Sequence, residues 1–299
     1  MNTSILIAGG TGFIGFHLAK KCLNLKWSVT SLSTSIPPKK RRLKKVKYKL
    51  CDISNKKRLL KKIKPNYDYV VNLAGYVDHS HRIKTIKSHY VGCKNLTSLF
   101  LNSKIKKFVQ IGSCIEYGKA RSPQYENNKN KKTFSIYGNA KLQSTRLSQN
   151  LYKKFNFPVT VLRLYLVYGP YQDANRVVPI TILNALKNKK FNCSDGLQFR
   201  DFTYIEDVIE AIIKTLKNRK SSGQIFNIGN GKPVSIKKVI NKICQLLNSG
   251  RPQFGKIDLR KDEIMKLYPS VIKAKKILNW KSRISLENGL KKTINFFQK

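Results

Sequence analysis

A tyrosine, a lysine and a serine in this sequence have the types and spacing needed to move a proton on or off an alcohol. Tyr137 and Lys141 lie four residues apart in a helical pattern, so they share one helix face, one turn apart. An ammonium beside a phenol lowers the pKa of the phenol, which lets Tyr137 exchange a proton near neutral pH. Ser113 ends a predicted strand and supplies a hydroxyl to the same substrate oxygen. We therefore predict Ser113, Tyr137 and Lys141 as catalytic residues.

A glycine-rich segment near the N-terminus predicts where a dinucleotide binds. The predicted strand Ser4–Ala8 runs into the sequence GGTGFIG at Gly9–Gly15, and a helical pattern follows at once. Glycines permit a tight turn, and the start of a helix offers free N–H groups to a pyrophosphate. The predicted contacts in this segment are Gly9, Thr11, Gly12, Phe13 and Ile14.

The end of the second predicted strand indicates which dinucleotide binds. An acidic residue there usually holds the adenosine ribose of NAD, but Val29–Ser33 ends without a carboxylate. Ser33 and Arg41 could instead bind a 2′-phosphate, so we predict NADP (NADPH), with NAD as the alternative. Asp52 is predicted to contact the adenine; the alternative interpretation is a helix N-cap ahead of Asn55. The remaining predicted coenzyme contacts come just after the third strand, at the end of the fourth strand, or on the helix that begins at Tyr137. They are Ile53, Leu73, Ala74, Gly75, Tyr137 and Lys141.

These residues lie at the ends of strands in a chain that alternates short apolar runs with helical patterns. Such alternation predicts parallel strands joined by crossover helices, hence an α/β fold with a doubly wound Rossmann sheet. The predicted strands are Ser4–Ala8, Val29–Ser33, Val46–Leu50, Tyr69–Ala74, Phe108–Ser113, Val159–Leu164, Phe199–Tyr204 and Ile225–Ile228. The predicted helices are Phe13–Lys26, Asn55–Ile63, Ser88–Asn102, Tyr137–Lys154, Val178–Lys187, Ser235–Leu247 and Ser285–Phe297.

The regular alternation weakens after Leu164, which predicts a smaller C-terminal substrate lobe interleaved with the sheet. We predict a dinucleotide-binding domain over residues 1–168 plus about 199–230. The substrate lobe is predicted over residues 169–198 plus 231–299.

Composition limits the remaining classes of function. The 299 residues are 41% hydrophobic, and we expect a cytoplasmic protein because neither a membrane span nor a signal-peptide pattern is visible. Six scattered cysteines without a paired Cys/His pattern argue against a disulfide framework and a metal site. The net charge of +45 suggests nucleic acid as a partner, but lysine is spread through most predicted helices and no nucleic-acid-binding motif accompanies it. We therefore expect no nucleic-acid partner.

The order of motifs along the chain resembles the extended short-chain dehydrogenases/reductases of the nucleotide-sugar epimerase, dehydratase and reductase group, the NAD-dependent epimerase/dehydratase family. The matching segments are GGTGFIG at Gly9–Gly15, CDI at Cys51–Ile53, NLAG at Asn72–Gly75, GSCIEYG at Gly112–Gly118, YGNAK at Tyr137–Lys141, RLYLVYGP at Arg163–Pro170, RDFTYIEDV at Arg200–Val208 and FNIGNG at Phe226–Gly231.

The resemblance implies a nucleoside diphosphate sugar as substrate and a homodimer formed through the helices predicted at Ser88–Asn102 and Tyr137–Lys154. By the same resemblance, arginines clamp the diphosphate, two further residues touch the nucleotide, and three contact the sugar. In that order, these residues are Arg200 and Arg260, then Arg176 and Val178, then Tyr76, Cys114 and Glu116. Leu166 and His89 stand where relatives usually have asparagine, so we expect a different arrangement of phosphate contacts and of the proton relay.

Three reactions of this family can be compared with the sequence. Dehydratases carry a Thr-Asp-Glu series where this chain has Ser113, Cys114 and Ile115, so the two acid/base carboxylates are missing. Reduction of a C4 ketone and 4-epimerisation remain. The missing acid after the second strand favours an NADPH-dependent reductase of an NDP-4-keto-6-deoxyhexose in glycan precursor biosynthesis. A 4-epimerase with tightly bound NAD is the alternative, and a non-catalytic dinucleotide sensor is the non-enzyme alternative.

Overall fold

The computed structural model describes residues 2–76, 78, 81–128, 133–259 and 263–299. Its strands follow the apolar, β-branched runs of the sequence. They are β1 Ser4–Ala8, β2 Ser28–Ser33, β3 Val46–Leu50, β4 Tyr69–Asn72, β5 Lys107–Ser113, β6 Val159–Leu164, β7 Leu166–Tyr168, β8 Lys190–Asn192, β9 Phe199–Arg200, β10 Phe202–Tyr204, β11 Ile225–Ile228, β12 Val234–Ser235, β13 Arg251–Gln253 and β14 Lys266–Leu267.

Across the described residues, seven of these strands form one parallel sheet in the order β3-β2-β1-β4-β5-β6-β11. The chain order reverses between β1 and β4, and ligands of such sheets bind outside the carboxyl ends of the strands at this reversal. The glycine-rich segment follows β1, residues 73–75 follow β4, and Ser113 ends β5. The predicted doubly wound α/β fold is confirmed, and it brings these three segments to one edge.

Helices cover both faces of the sheet. They are α1 Phe13–Asn24, α2 Lys56–Lys62, α3 Arg82–Ile86, α4 Gly92–Phe100, α5 Ile136–Phe155, α6 Val177–Leu186, α7 Ile205–Lys217, α8 Ile236–Leu247, α9 Ile272–Leu278 and α10 Leu286–Phe297. Alternate residues of β1 point to opposite faces, so Ile5 and Ile7 pack with α1 and α7, while Leu6 and Ala8 pack with α4. Each buried aliphatic side chain contributes about 1.5–3 kcal/mol, which holds the strand ends in fixed positions.

Several elements differ from the sequence predictions, among them the short helices α3 and α9, which were not predicted, and the three described next. Helix α7 was not predicted, although its first turn carries Glu206 and Asp207, which favour a helix N-terminus. The predicted strand Phe199–Tyr204 is two short strands, because the buried Asp201 turns aside to accept hydrogen bonds from the backbone of residues 230 and 231. The helix predicted from Ser88 begins with a π-helical turn at Lys87–Val91 before α4.

Smaller sheets lie beyond the main one and lead away from its carboxyl edge. Strand β7 pairs with β10, β9 lies between β12 and β14, and β8 pairs with β13. The two predicted domain boundaries stay predictions. Among the described helices, none is both long enough and apolar enough to cross a bilayer.

Candidate active site

The three predicted catalytic residues meet where β5 ends against the start of α5. Ser135 caps α5 by accepting a hydrogen bond from the Gly138 amide at 3.0 Å, which places Tyr137 in the first turn of the helix. The Ser113 side chain lies close enough to the Tyr137 side chain to lower the pKa of the phenol. Lys141 lies one turn further on, with its ammonium 5.9 Å from the centre of the Tyr137 ring.

Burial controls the protonation of this group of residues. It raises the pKa of Tyr137 to about 12, against the opposing effects of the nearby Ser113 side chain and the positive charge of Arg176. Burial also lowers the pKa of Lys141 to about 8, while the negative charge of Glu116 raises it. Lys141 donates its hydrogen bond to the Ile111 carbonyl oxygen at 2.8 Å. The predicted lowering of the phenol pKa by the ammonium is therefore not seen in the protein alone, because desolvation is the largest influence on this pKa.

The glycine-rich segment leaves a site for a pyrophosphate at the start of α1. Gly9 has a φ of +80° and lies against residue 73, where an added Cβ would be 2.7 Å from a backbone carbon. Gly12 stands at the N-cap of α1 in an extended conformation and gives the helix no side-chain cap. Thr11 directly precedes this N-cap, and Phe13 and Ile14 are the first two residues of α1. The arrangement fits the pyrophosphate of a dinucleotide, because backbone N–H groups and the helix dipole face the crevice.

Two residues predicted to select NADP have other partners in the structure. The hydroxyl of Ser33 accepts a hydrogen bond from the Thr11 amide at 3.3 Å, so it supports the glycine turn. Arg41 donates to the Tyr171 carbonyl oxygen at 2.5 Å and pairs with Asp173 at 3.0 Å. The preference for NADP stays a prediction, since a 2′-phosphate would have to compete with these partners.

The predicted adenine and nicotinamide contacts lie at the ends of β3 and β4. Asp52 accepts a hydrogen bond from the Ser54 amide at 2.8 Å, while Asn55, which follows Ser54, caps α2. The alternative interpretation of Asp52 as the cap of that helix is therefore wrong. Ile53 is buried beneath it. Residues 73–75 continue from β4 along the crevice edge.

The structure corrects the role predicted for Glu116. Its side chain is 0% exposed and forms a 2.9 Å ion pair with Arg163, so it is not available to sugar hydroxyls. One carboxylate oxygen accepts the Ser113 amide at 2.7 Å, and the other accepts the Thr145 hydroxyl at 2.7 Å. The Ser-x-x-Glu spacing from Ser113 to Glu116 forms a capping box, a sequence signal that could have predicted this arrangement.

Two of the predicted substrate residues, Arg200 and Cys114, lie close enough to interact electrostatically. The charge of Arg200 acts on the thiol of Cys114, whose pKa burial nonetheless raises to about 12. Arg200 also donates to the Phe199 carbonyl oxygen and forms an ion pair with Glu263. Arg260, the second predicted diphosphate ligand, lies outside the described residues.

The remaining predicted substrate contacts are distributed unevenly. Arg176 is exposed at the N-cap of α6, close enough to lower the pKa of Tyr137. Val178 is 1% exposed and packs in the core, so its side chain does not reach a nucleotide. Tyr76 is partly exposed and donates a hydrogen bond from its hydroxyl to Asp78 at 3.3 Å.

His89, at a position where the resemblance leads one to expect asparagine, lies against the ring of Tyr137. Its ring is edge-on to the Tyr137 ring with 4.9 Å between centres, and its Nε2 lies 3.2 Å from the Tyr76 carbonyl oxygen. The imidazole therefore supports the phenol ring and the segment that follows β4.

Comparison with known proteins agrees with this geometry. Residues 5–229 match the model of the NAD dependent epimerase/dehydratase family. The chain is 30% identical to a UDP-glucuronate 4-epimerase of Thermodesulfobacterium geofontis over 71% of this chain and 65% of that protein. It is 26% identical to the dTDP-D-glucose 4,6-dehydratase of Homo sapiens over 98% of this chain and 89% of that protein.

A solved structure gives the same result in three dimensions. The UDP-glucuronic acid 4-epimerase of Bacillus cereus, in complex with UDP-glucuronic acid and NAD, superposes with a TM-score of 0.88 at 26% identity, over 99% of both chains. The chain therefore belongs to the NAD dependent epimerase/dehydratase family, whose members named here act on nucleotide sugars. The protein is an enzyme of this family.

Proposed function

We propose that the protein transfers hydride at C4 of a nucleoside diphosphate sugar and that its net reaction is 4-epimerisation with retained NAD. The observation that carries this proposal is the proximity of the Tyr137 and Ser113 side chains at the sheet edge where the glycine turn and residues 73–75 also lie. A sugar O4 placed beside this pair would contact an acid and an orienting hydroxyl at once.

Each residue has a defined task in this proposal. The nicotinamide, when bound, accepts and returns the C4 hydride. In the oxidising half of the reaction Tyr137, as the phenolate, would take the proton from the sugar O4 while the hydride leaves C4, and in the reducing half the resulting phenol would return that proton. Ser113 orients the sugar oxygen in both halves. Lys141 keeps a positive charge beneath the phenol below a pH of about 8, which favours any negative charge that develops there.

The diphosphate is proposed to bind near Arg200. The Arg200 side chain is 10% exposed, so its guanidinium offers charge-assisted hydrogen bonds at a fixed position near Cys114. A planar guanidinium fork suits two phosphate oxygens, and Arg176 adds a second positive charge nearer to Tyr137.

Dehydration is not proposed because the acid/base groups it needs are missing next to Ser113. Cys114 and Ile115 follow that serine, and Glu116 is buried against Arg163. The pairing of Arg41 with Asp173 and the NAD named with the Bacillus cereus enzyme both support NAD over NADP.

Reduction of an NDP-4-keto-6-deoxyhexose with NADPH is the second candidate. Ser33 at the end of β2 favours it, because no carboxylate stands there to hold the ribose hydroxyls of NAD. The same Tyr137 and Ser113 would then protonate and orient the C4 carbonyl oxygen.

Product analysis distinguishes the two candidates. Purified protein is incubated with UDP-glucuronic acid or UDP-glucose without added coenzyme, and the sugar products are followed by proton NMR. Appearance of the 4-epimer supports the proposal. Oxidation of NADPH with nucleotide 4-keto-6-deoxy sugars, without epimer formation, would instead establish the reductase, and neither reaction with any nucleotide sugar would refute both.

We also propose a homodimer through α4 and α5, as the resemblance implies. Ile136 at the start of α5 is 38% exposed and lines a small apolar hollow of about 230 Å³, and Ile83 on α3 is 59% exposed. Light scattering on wild-type protein and on Ile136→Glu tests this: a dimer that dissociates in the variant supports it, and a monomeric wild type contradicts it.

A further inference from the structure

The carboxylate of Glu116 connects three elements that surround the catalytic group. It lies in the helical turn that follows β5, where it accepts the Ser113 amide at 2.7 Å. It also accepts the hydroxyl of Thr145 from α5 at 2.7 Å and pairs with Arg163 of β6 at 2.9 Å. Strand β5, strand β6 and helix α5 are thus joined through one side chain.

Two of these contacts hold catalytic residues in place. The backbone of Ser113 is bonded directly, and Thr145 lies one helical turn beyond Lys141 and two turns beyond Tyr137. Gly112 leaves room for this carboxylate, since an added Cβ would be 2.5 Å from its Oε1. The contacts therefore fix how far the Ser113 hydroxyl lies from the helix that carries Tyr137.

Stability alone does not explain a charged pair at this depth. Removing two charges from water costs several kcal/mol per ion, and a buried ion pair is often no more stable than two apolar side chains of similar volume. Glu116 and Arg163 are 0% and 5% exposed, with the guanidinium stacked 4.4 Å above the ring of Tyr117. What apolar side chains could not supply is the acceptor for the Ser113 amide and the Thr145 hydroxyl.

We propose that Glu116 is a positioning residue, which sets the geometry between Ser113 and the helix bearing Tyr137 and Lys141. This inference rests on the proposed catalytic role of those three residues. It assigns to Glu116 a task that acts through Ser113 and α5 rather than through contact with the sugar.

The charge of Glu116 has a second effect on the same group. Burial lowers the pKa of Lys141 to about 8, and Glu116 is the largest influence that raises it, followed by Cys93 from α4. The aromatic ring of Tyr137 faces the ammonium from its own helix. Glu116 thus helps Lys141 to remain charged near neutral pH while it fixes the position of Ser113.

Two double variants separate the acceptor from the charge. Glu116→Met with Arg163→Met removes both charges and the acceptor, whereas Glu116→Gln with Arg163→Met removes both charges and keeps an amide oxygen for Ser113. Neither leaves an unpaired buried ion, so both should fold. Folding is checked by urea unfolding and by the affinity for NAD, which should stay within about threefold of wild type, since Glu116 does not line the glycine turn.

We expect the Met/Met variant to lose about 10²-fold in kcat with little change in KM, as a misplaced reacting group does. The Gln/Met variant should recover most of this loss at its own pH optimum. Hydrogen exchange of the Ser113 amide should be faster in the Met/Met variant only. Wild-type kcat in a folded Met/Met variant, or equal losses in both variants, would overturn the proposal.

Two provisions keep the test decisive. If the Met/Met variant does not fold, Thr145→Val replaces it, and Thr145→Ser serves as its control. A lower kcat in Thr145→Val together with a wild-type kcat in Thr145→Ser supports the proposal. Equal kcat values in these two variants overturn it. If wild-type protein turns over no nucleotide sugar, the proposed function fails, while exchange at the Ser113 amide still decides whether Glu116 holds that residue.

Discussion

Two arginine–glutamate pairs lie near the candidate active site, and they differ in burial. Arg163 and Glu116 are 5% and 0% exposed, and the carboxylate has further partners on a strand end and on α5. Arg200 and Glu263 are 10% and 22% exposed, and Glu263 directly follows residues 260–262, which the structure does not describe. The same pair of charged groups thus occurs once in the protein interior and once in a partly solvated position.

The difference indicates which arginine can exchange its partner for a ligand. Water and ligands cannot reach Arg163 without disrupting β6, so its pair is part of the framework. Arg200 is near Cys114 at the site, and its carboxylate partner is partly solvated, so a diphosphate could replace Glu263 at modest cost. Burial, rather than residue type, separates a structural arginine from a binding arginine here.

The largest effect expected from this comparison is on stability. Arg163→Met should lower the free energy of unfolding by about 3–5 kcal/mol, because it leaves the Glu116 carboxylate buried without its counter-ion. Glu263→Gln should change it by at most about 1 kcal/mol. Urea unfolding of both single variants measures these free energies. Equal losses of stability would contradict the distinction between a structural and a binding arginine.

The next effect concerns substrate affinity. Arg200→Met should raise KM for the nucleotide sugar about 10- to 100-fold, since charge-assisted hydrogen bonds to the diphosphate are lost. The affinity for NAD should be unchanged, because Arg200 lies away from the glycine turn. Arg200→Lys is the matched control and should recover part of the loss; an unchanged KM in Arg200→Met would remove this residue from the site.

A smaller effect should appear in the pH profile of kcat. Burial lowers the pKa of Lys141 to about 8, so the ammonium is present below that pH and is lost above it. We expect kcat to fall as the pH rises through about 8. Because Glu116 raises the pKa of Lys141, the Glu116→Gln, Arg163→Met variant should show this fall at lower pH. The same alkaline limb in both proteins would contradict the electrostatic link.

The smallest effect is predicted for the coenzyme. Arg41 is held by Tyr171 and Asp173, so Arg41→Ala should change the ratio of NAD to NADP affinity by less than about threefold. Titration of both coenzymes by fluorescence or calorimetry measures this ratio. A large, selective loss of NADP affinity would show that Arg41 leaves Asp173 to bind a 2′-phosphate.

Much of the fold could be predicted from the sequence, because local residue patterns determine its strands and turns. The strands Ser4–Ala8, Val46–Leu50, Val159–Leu164 and Ile225–Ile228 have the predicted bounds, since each is a short apolar run between turn or helix signals. The glycine turn and the four-residue spacing of Tyr137 and Lys141 likewise depend only on neighbouring residues.

The errors arise where a residue's partner is distant in sequence. Glu116 follows Ser113 closely, but Arg163, which decides its role, lies 47 residues further on. The partner of Arg41 is 132 residues away, and the burial that raises the pKa of Tyr137 needs the packed fold. Sequence spacing could place these residues near the crevice without showing which of their atoms were already bonded.

The most direct test of the central claim is the absorbance at 340 nm after UDP-glucuronic acid or UDP-glucose is mixed with stoichiometric enzyme and NAD. We predict that wild-type protein forms the reduced coenzyme, either transiently or together with epimerised product. Tyr137→Phe should bind NAD equally well and form neither. Reduced coenzyme at the wild-type rate in that variant would contradict the assignment of Tyr137 as the residue that exchanges the proton.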